Sequence, residues 1–235
     1  MGIKDLTEEQ MGKIQIAFQQ HVQQQAEESL KEFDKTLDAV VDKLSKEGWT
    51  LPAELGIYAV NVIGQTEEIK DINAFLCDYF TRNDYEVTKN MIEGILSSKI
   101  REPLKKMVRE CREAFMSKLY SVCATSLLSV IEGILSDFGD DKQDVRMMRI
   151  CQHHVDNFPE NGSTIAKHTW ISYNAFIRNL YQKSDFSSEE PEGINRHWLL
   201  HGRSDFEQDE NDCIRLFNAV QSLCMIVNKT VDETI

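Results

Sequence analysis

The sequence predicts an all-α fold, and three observations lead to that prediction. Apolar residues recur at steps of three or four over most of the 235 residues, which is the spacing of one helix face. No run alternates apolar and polar residues for long enough to indicate a β-strand. Helix-starting and helix-breaking signals, such as those in residues 7–10 and 48–52, separate the periodic stretches. A chain of this length can bury a sizeable core without disulfides or metals.

The first predicted helix is long. It begins at the capping-box pattern Thr-Glu-Glu-Gln of residues 7–10 and continues to Gly48, which is about 60 Å at 1.5 Å per residue. Its apolar face contains Ile14, Phe18, Val22, Ala26, Leu30, Phe33, Leu37, Val41 and Leu44. The opposite face carries Gln, Glu and Lys, whereas a membrane-surface helix is dominated there by Lys and Arg. We therefore expect this helix to pack on its own domain or on a protein partner.

The remaining helices are predicted between breaking signals. Pro103 fits the first position of a helix, and a kink is expected near Tyr120 in the long stretch that follows it. The predicted helical ranges are 52–63, 66–80, 85–97, 103–139, 144–158, 167–182, 194–201 and 207–229. We divide the chain into an N-terminal helical extension, residues 1–60, and a helical domain, residues 61–235.

A six-residue run, Ile-Glu-Gly-Ile-Leu-Ser, occurs at residues 92–97 and again at 131–136. Two copies are too few for a repeat architecture, which needs three or more. Each run places a glycine inside a predicted helix, where glycine costs about 1 kcal/mol relative to alanine. Gly94 and Gly133 therefore predict that another helix approaches closely at these two points.

Charge is unevenly distributed. The 26 basic and 39 acidic residues give a net charge of −13, which argues against a protein that coats DNA with a basic surface. Residues 99–118 are locally basic and residues 185–212 locally acidic. The basic stretch is either a solvated helix face or a surface for phosphate or an acidic partner. A nucleic-acid site in one local groove remains compatible with this composition.

Cysteine use and hydropathy favour a cytoplasmic protein. The six cysteines are Cys77, Cys111, Cys123, Cys151, Cys213 and Cys224, and no two form a Cys-x-x-Cys pair. Most lie beside apolar residues, as reduced core thiols do. The N-terminus has no apolar segment typical of a signal peptide, and the longest apolar stretch, residues 121–135, is too short and polar to span a bilayer. We expect no membrane association.

The segment 193–203, Gly-Ile-Asn-Arg-His-Trp-Leu-Leu-His-Gly-Arg, concentrates groups that can act on phosphate. Arg196 is a fixed cation that can hold phosphate oxygens, and His197 and His201 can move protons near neutral pH. Gly202 fits the C-cap of a short helix. Such a set suits cleavage of RNA by its own 2′-hydroxyl, because a base, an acid and a cation are sufficient and no metal is required.

The motif Asn195-Arg196-His197-x-x-Leu200-His201-Gly202 resembles the HEPN superfamily of small all-α domains, whose ribonuclease members carry Arg, four to six residues and then His. An earlier Ile-Glu-Gly-Ile-Leu run, here residues 131–135, and a helix that opens with acidic residues and turns apolar, here 209–223, extend the resemblance. It covers roughly residues 100–235. The resemblance implies a HEPN-like helical bundle with the long N-terminal helix as an extension.

Roles for individual residues are implied by this resemblance. His201 is expected to be the acid or base, and Arg196 to stabilise the charge on the phosphate. His197 and Asn195 are expected to orient the phosphate or the other side chains, with Glu132 as a partner behind them. The family further implies an RNA substrate, a homodimer with both motifs in one cleft, and a role in phage defence, RNA processing or a toxin–antitoxin pair.

Other interpretations stay open. The chain could be an inactive HEPN-like module that binds RNA or a protein, with Arg196 and His201 buried and saturated by internal hydrogen bonds. It could also be an unrelated helical regulator, because the short pattern of Arg, four to six residues and then His also occurs at Arg149 with His154 and at Arg146 with His153. We call these two pairs the competing Arg-x-His matches. The cluster of Cys151 with the neighbouring histidines has no recognised metal-ligand spacing, so neither a metal nor another cofactor is expected.

Overall fold

A computed structural model describes residues 8–139, 146–160 and 162–232 of the chain. The described residues form helices and the connections between them, with no strand among them, so the predicted all-α fold is confirmed. The helices are α1 (Glu8–Lys46), α2 (Ile57–Gln65), α3 (Ile69–Ser97), α4 (Glu102–Met116), α5 (Tyr120–Ser136), α6 (Met147–Asp156), α7 (Thr164–Leu180), α8 (Arg196–Leu200) and α9 (Glu210–Asp232). Thr7 of the predicted capping box lies outside the described residues.

Two predicted interruptions are present in the structure. The kink expected near Tyr120 is a complete break between α4 and α5, where Lys118 has a φ of 60°. The break expected between residues 80 and 85 is a non-helical turn inside α3, in which Asn83, Asp84 and Tyr85 have positive φ. The break at residues 117–119 lets α4 and α5 pack against each other.

The core is built around α5 and α9. These two helices pack on each other, α4 covers α5, and α3 covers α9. The same continuous core includes Leu44 of α1 and Val60 of α2. Every cysteine is reduced, and all but the half-buried Cys77 are buried, as expected of core thiols. No helix in the described part of the chain is long and apolar enough to cross a membrane.

The repeated glycines allow the close helix contacts that the sequence predicts. A Cβ added to Gly133 of α5 would lie 2.7 Å from a methyl group of Leu104 on α4. A Cβ on Gly94 of α3 would lie 3.4 Å from Nε2 of Gln221 on α9. The approach at Gly133 is the tighter one, so α4 and α5 can pack at this distance only because that side chain is absent.

The apolar face of α1 divides into two parts. Leu37, Val40, Val41 and Leu44 are buried against the body of the protein. Every side chain from residue 15 to residue 32 is exposed, including several large apolar ones. The predicted packing of this helix on its own domain therefore holds only for its second half.

Polar contacts fix the packed half of α1. The buried imidazole of His168 on α7 lies 3.0 Å from a carboxylate oxygen of Asp38 and 2.8 Å from the carbonyl oxygen of Thr164. Lys43 donates hydrogen bonds to three carbonyl oxygens at the end of α2, those of Ile63, Gly64 and Thr66. The second half of α1 is therefore tied to both α7 and α2.

Candidate functional site

The motif forms the short helix α8, and Asn195 starts it. Its side-chain oxygen accepts hydrogen bonds from the backbone N–H groups of His197 (3.0 Å) and Trp198 (3.3 Å), as an N-cap residue does. Its amide nitrogen donates to the carbonyl oxygen of Gln182 at 2.9 Å. Asn195 is only 3% exposed. Its place in the structure is that of a residue that positions α8 rather than one that touches a ligand.

Gly202 ends α8 as the sequence predicts. It has a φ of 61°, and its N–H donates to the carbonyl oxygen of Leu199 at 3.2 Å. The N–H of Arg203 donates to the carbonyl oxygen of Trp198 at 2.9 Å, which completes a Schellman motif. The buried indole of Trp198 donates to the hydroxyl of Ser184. These contacts orient both ends of a helix that is too short to be stable alone.

Arg196 is held from behind by α5 and α7. Its Nε donates to Oε1 of Glu132 at 2.7 Å, and Nη2 lies 3.5 Å from Oε2 of the same carboxylate. The hydroxyl of Tyr181 donates to the same Oε1, and the guanidinium lies over the Tyr181 ring at 5.6 Å. The guanidinium side chain is 32% exposed. Glu132, expected as a partner of the motif, therefore contacts Arg196 directly.

The contacts around Arg196 shift the pKa values of two side chains, Arg196 and Tyr181. The hydrogen bond to Glu132 raises the pKa of the Arg196 guanidinium above its usual value. Burial, together with the Glu132 carboxylate, raises the pKa of Tyr181 well above that of a free phenol. Tyr181 therefore stays protonated near neutral pH and acts as a donor to Glu132 rather than as a base.

The two histidines lie on the open side of α8. The His197 ring stacks on Phe186 at 4.4 Å between centroids and 8° between planes. The His201 ring meets His197 at 4.7 Å and Phe186 at 5.8 Å, in both cases edge to face. His201 is exposed, and within the described residues its ring nitrogens have no hydrogen-bond partner. Both nitrogens are thus open to an external proton donor or acceptor.

Arg203 completes this aromatic cluster. Its guanidinium carbon lies 5.0 Å from the centre of the Phe186 ring, within the range of a cation–π contact. Arg203 is exposed and forms no ion pair with any carboxylate in the described parts of the chain, although the segment around it is acidic. An unpaired cation is therefore held beside the two histidines.

The structure brings the motif residues together but divides them between two sides of α8. Arg196 contacts Glu132 and Tyr181, whereas His197 and His201 contact Phe186. Sequence reasoning missed Tyr181 and Phe186, which lie outside the motif. Tyr181 follows Ile177 by one turn on the apolar face of the predicted helix 167–182, but nothing there links it to a motif that begins more than ten residues later.

The competing Arg-x-His matches have structural contacts instead. His154 stacks on Trp170 at 4.3 Å, and its Nε2 lies 3.2 Å from the carbonyl oxygen of Phe138. Nδ1 of His153 lies 3.3 Å from the side-chain amide of Asn157. In the described part of the chain, no group of three or more His, Cys, Asp or Glu side chains is placed to hold a metal ion.

The basic stretch pairs with carboxylates of its own neighbourhood. Arg109 binds Glu102 at 2.7 Å, and Arg112 binds Glu93 at 2.9 Å. Arg101 binds Asp137 at 2.9 Å. These exposed pairs favour the interpretation of α4 as a solvated face, and none of them uses a carboxylate of the acidic segment 185–212.

Comparison of the chain with protein-family models, with curated proteins and with solved structures finds no match. The functional interpretation therefore rests on the chemistry of the site itself.

Proposed function

We propose that the protein is a metal-independent endoribonuclease of the HEPN type. The observation that carries this proposal is the exposed His201 ring in contact with the His197 ring, with the cation Arg196 fixed on the same short helix. A histidine that only stabilised the fold would use its ring nitrogens internally, as His168 does. The open nitrogens of His201 favour proton transfer to a bound ligand.

The proposed reaction needs one base and one acid. The base takes the proton of the 2′-hydroxyl, the 2′-oxygen attacks phosphorus, and the acid protonates the 5′-oxygen as its bond to phosphorus breaks. His201 is the acid or base in contact with the RNA, and the neighbouring His197 orients the phosphate or serves as the second group. Arg196 stabilises the negative charge on the phosphate oxygens. The products are a 2′,3′-cyclic phosphate and a 5′-hydroxyl.

Asn195, Glu132 and Tyr181 act through these three residues, whereas Arg203 contacts the RNA itself. Asn195 orients α8 by capping it, and Glu132 and Tyr181 fix the Arg196 guanidinium. Arg203 on Phe186 supplies a cation for a neighbouring phosphate of the same strand, because arginine binds phosphate and stacks on rings at once. A homodimer with both motifs in one cleft would place the Arg196 and Arg203 cations of both copies beside the RNA.

A second candidate is an inactive helical module that binds RNA or a protein partner. The contact of Arg196 with Glu132 and Tyr181 favours it, because a guanidinium used inside the fold is typical of a structural role. For the nuclease, the biological setting would be phage defence, RNA processing or a toxin–antitoxin pair, with an antitoxin or another protein as regulator.

The test is RNA cleavage in the presence of EDTA by wild type, His201→Ala and His153→Ala. Both histidines are exposed, so neither substitution should change the helical content or the unfolding midpoint. We expect His201→Ala to lose cleavage and His153→Ala to cleave as wild type does. Equal cleavage by wild type and His201→Ala would overturn the assigned site, and no cleavage by wild type would favour the inactive module.

A further inference from the structure

In the described part of the chain, residues 15–32 of α1 form no hydrogen bond or ion pair with another helix. We call residues 15–32 the arm; all of its side chains are exposed, and Phe18, Val22 and Leu30 are 66%, 47% and 62% exposed. A lone helix of this length is only marginally stable in water, because most helix stability in proteins comes from packing of an apolar face. Exposed apolar patches of this kind mark interaction surfaces.

The apolar face of the arm continues the face that is buried in the core. Phe18, Val22, Ala26 and Leu30 are spaced by four residues and are followed along the same helix by the buried Leu37 and Val41. At the start of α7, Lys167 lies 3.9 Å from Asp34 and His168 lies 3.0 Å from Asp38, so α7 contacts α1 beyond the arm. Among the described residues, nothing buries the apolar side chains between positions 15 and 32.

A groove lies beside the C-terminal end of the arm, nearest the body of the protein, which we call the root of the arm. It has a volume of about 460 Å³ and is lined on its apolar side by Leu30, Val155, Phe158 and Pro159. Its rim carries both signs of charge, from Lys31, Asp34, Glu160 and Lys167. The groove therefore extends the apolar surface of the arm at the end nearest the body and has room for a large apolar side chain.

Charge identifies the kind of partner. His21 is the only titratable residue between positions 15 and 26, in a chain whose net charge is −13. The charged residues of the arm, Glu27, Glu28, Lys31 and Glu32, all lie toward its root. When two arms lie antiparallel, the acidic end of each faces the end of the other that carries no carboxylate, so like charges do not meet. Between positions 15 and 26 the other polar residues are glutamines, whose amides can both donate and accept hydrogen bonds across an interface.

The spacing of the arm is self-complementary. Phe18 and Leu30 are equally distant from Gln24 in the sequence, and so are Val22 and Ala26. A two-fold axis at the level of Gln24 therefore places Phe18 of one copy opposite Leu30 of the other, and Val22 opposite the small Ala26. An isologous interface requires such a reciprocal match. A ridge of residues four apart also packs into the groove of an identical ridge, with helices crossing at about −50°.

We propose that the arm binds the arm of a second copy of this chain, antiparallel about that axis. Phe18 of the partner subunit then lies beside Leu30 and the root groove. The interface is separate from a cleft shared by two motifs, because α7 begins near the root of the arm and ends beside Gln182, about 25 Å away at 1.5 Å per residue. This dimer does not depend on the proposed nuclease activity.

The experiment measures molar mass by light scattering on the full chain. Val22→Lys places a positive charge on the arm's apolar face, and Ala26→Glu places a negative charge there. Gln20→Lys is the control and places a positive charge on the opposite face of the arm. We expect Val22→Lys and Ala26→Glu each to halve the wild-type mass, and Gln20→Lys to retain it. An equimolar mixture of Val22→Lys and Ala26→Glu should recover the wild-type mass, because the two introduced charges then face each other.

Unchanged circular dichroism will show that the variants remain folded, since positions 20, 22 and 26 are exposed in the single chain. A wild type with the mass of one chain would overturn the proposal. So would a Val22→Lys variant that keeps the wild-type mass. Failure of the mixture to recover that mass would overturn the antiparallel arrangement.

Discussion

Arg196 donates a hydrogen bond of 2.7 Å from Nε to Glu132, so the cation of the motif is anchored on α5, 64 residues earlier in the chain. Both side chains are mostly buried, at 32% and 26% exposure. The ion pair limits the positions that the guanidinium can take. The ion pair connects the six-residue run at 131–136 with the motif at 195–202, although the two lie far apart in the sequence.

The first prediction compares the two copies of that run. Glu132→Gln should lower the free energy of unfolding by about 1 to 2 kcal/mol, because it weakens a partly buried ion pair that also accepts from Tyr181. Glu93→Gln is the matched control; it removes an exposed pair with Arg112 and should cost less than about 0.5 kcal/mol. Chemical denaturation of both variants gives the comparison, and equal losses would contradict a special role for Glu132.

The second prediction uses the glycines of the same two runs. Gly94→Ala should raise the free energy of unfolding by about 0.5 to 1 kcal/mol, because helix propensity improves and the new Cβ has an ordinary contact at 3.4 Å. Gly133→Ala should lower it by about 1 kcal/mol, since a contact of 2.7 Å with Leu104 overpacks the α4–α5 interface. Thermal or denaturant unfolding decides the signs, and a stabilising Gly133→Ala would show that Leu104 moves aside freely.

The third prediction concerns Arg203. If it binds a phosphate next to the one that is cleaved, Arg203→Ala should raise KM about tenfold with kcat unchanged, and should reduce the slope of log affinity against log salt by about 0.7. Arg149→Ala, an exposed arginine in the competing Arg-x-His match, is the control and should leave both values as they are. A drop in kcat for Arg203→Ala would instead place Arg203 in the chemical step.

Most helices and the C-cap of α8 could be predicted from local sequence, whereas the N-cap role of Asn195 was not predicted. Gly202 as a C-cap and the close approach at Gly133 follow from the conformational properties of glycine, which do not depend on the rest of the fold. The break near residues 82–85 was predicted, whereas the complete break at residues 117–119 was predicted only as a kink within one helical stretch. Local signals of this kind transfer directly to structure.

What could not be predicted depends on contacts distant in the sequence. The apolar period of α1 is the same at Val22 and at Val41, yet only Val41 is buried. The contacts of α1 with α7 and α2, such as those of Asp38 and Lys43, lie in its second half. Tyr181 and Phe186 reach the motif through the path of the loop that follows α7. No spacing rule connects either of them to Arg196 or His197.

The central claim is that the 2′-hydroxyl of RNA is the nucleophile and that no metal takes part. The most direct measurement treats a short RNA, and the same RNA with a 2′-deoxy nucleotide at the cleaved position, with the protein in EDTA, and identifies the ends formed. The account predicts cleavage of the first only, with 2′,3′-cyclic phosphate ends. Cleavage of the deoxy-substituted RNA at that position, or a requirement for added metal, would contradict it.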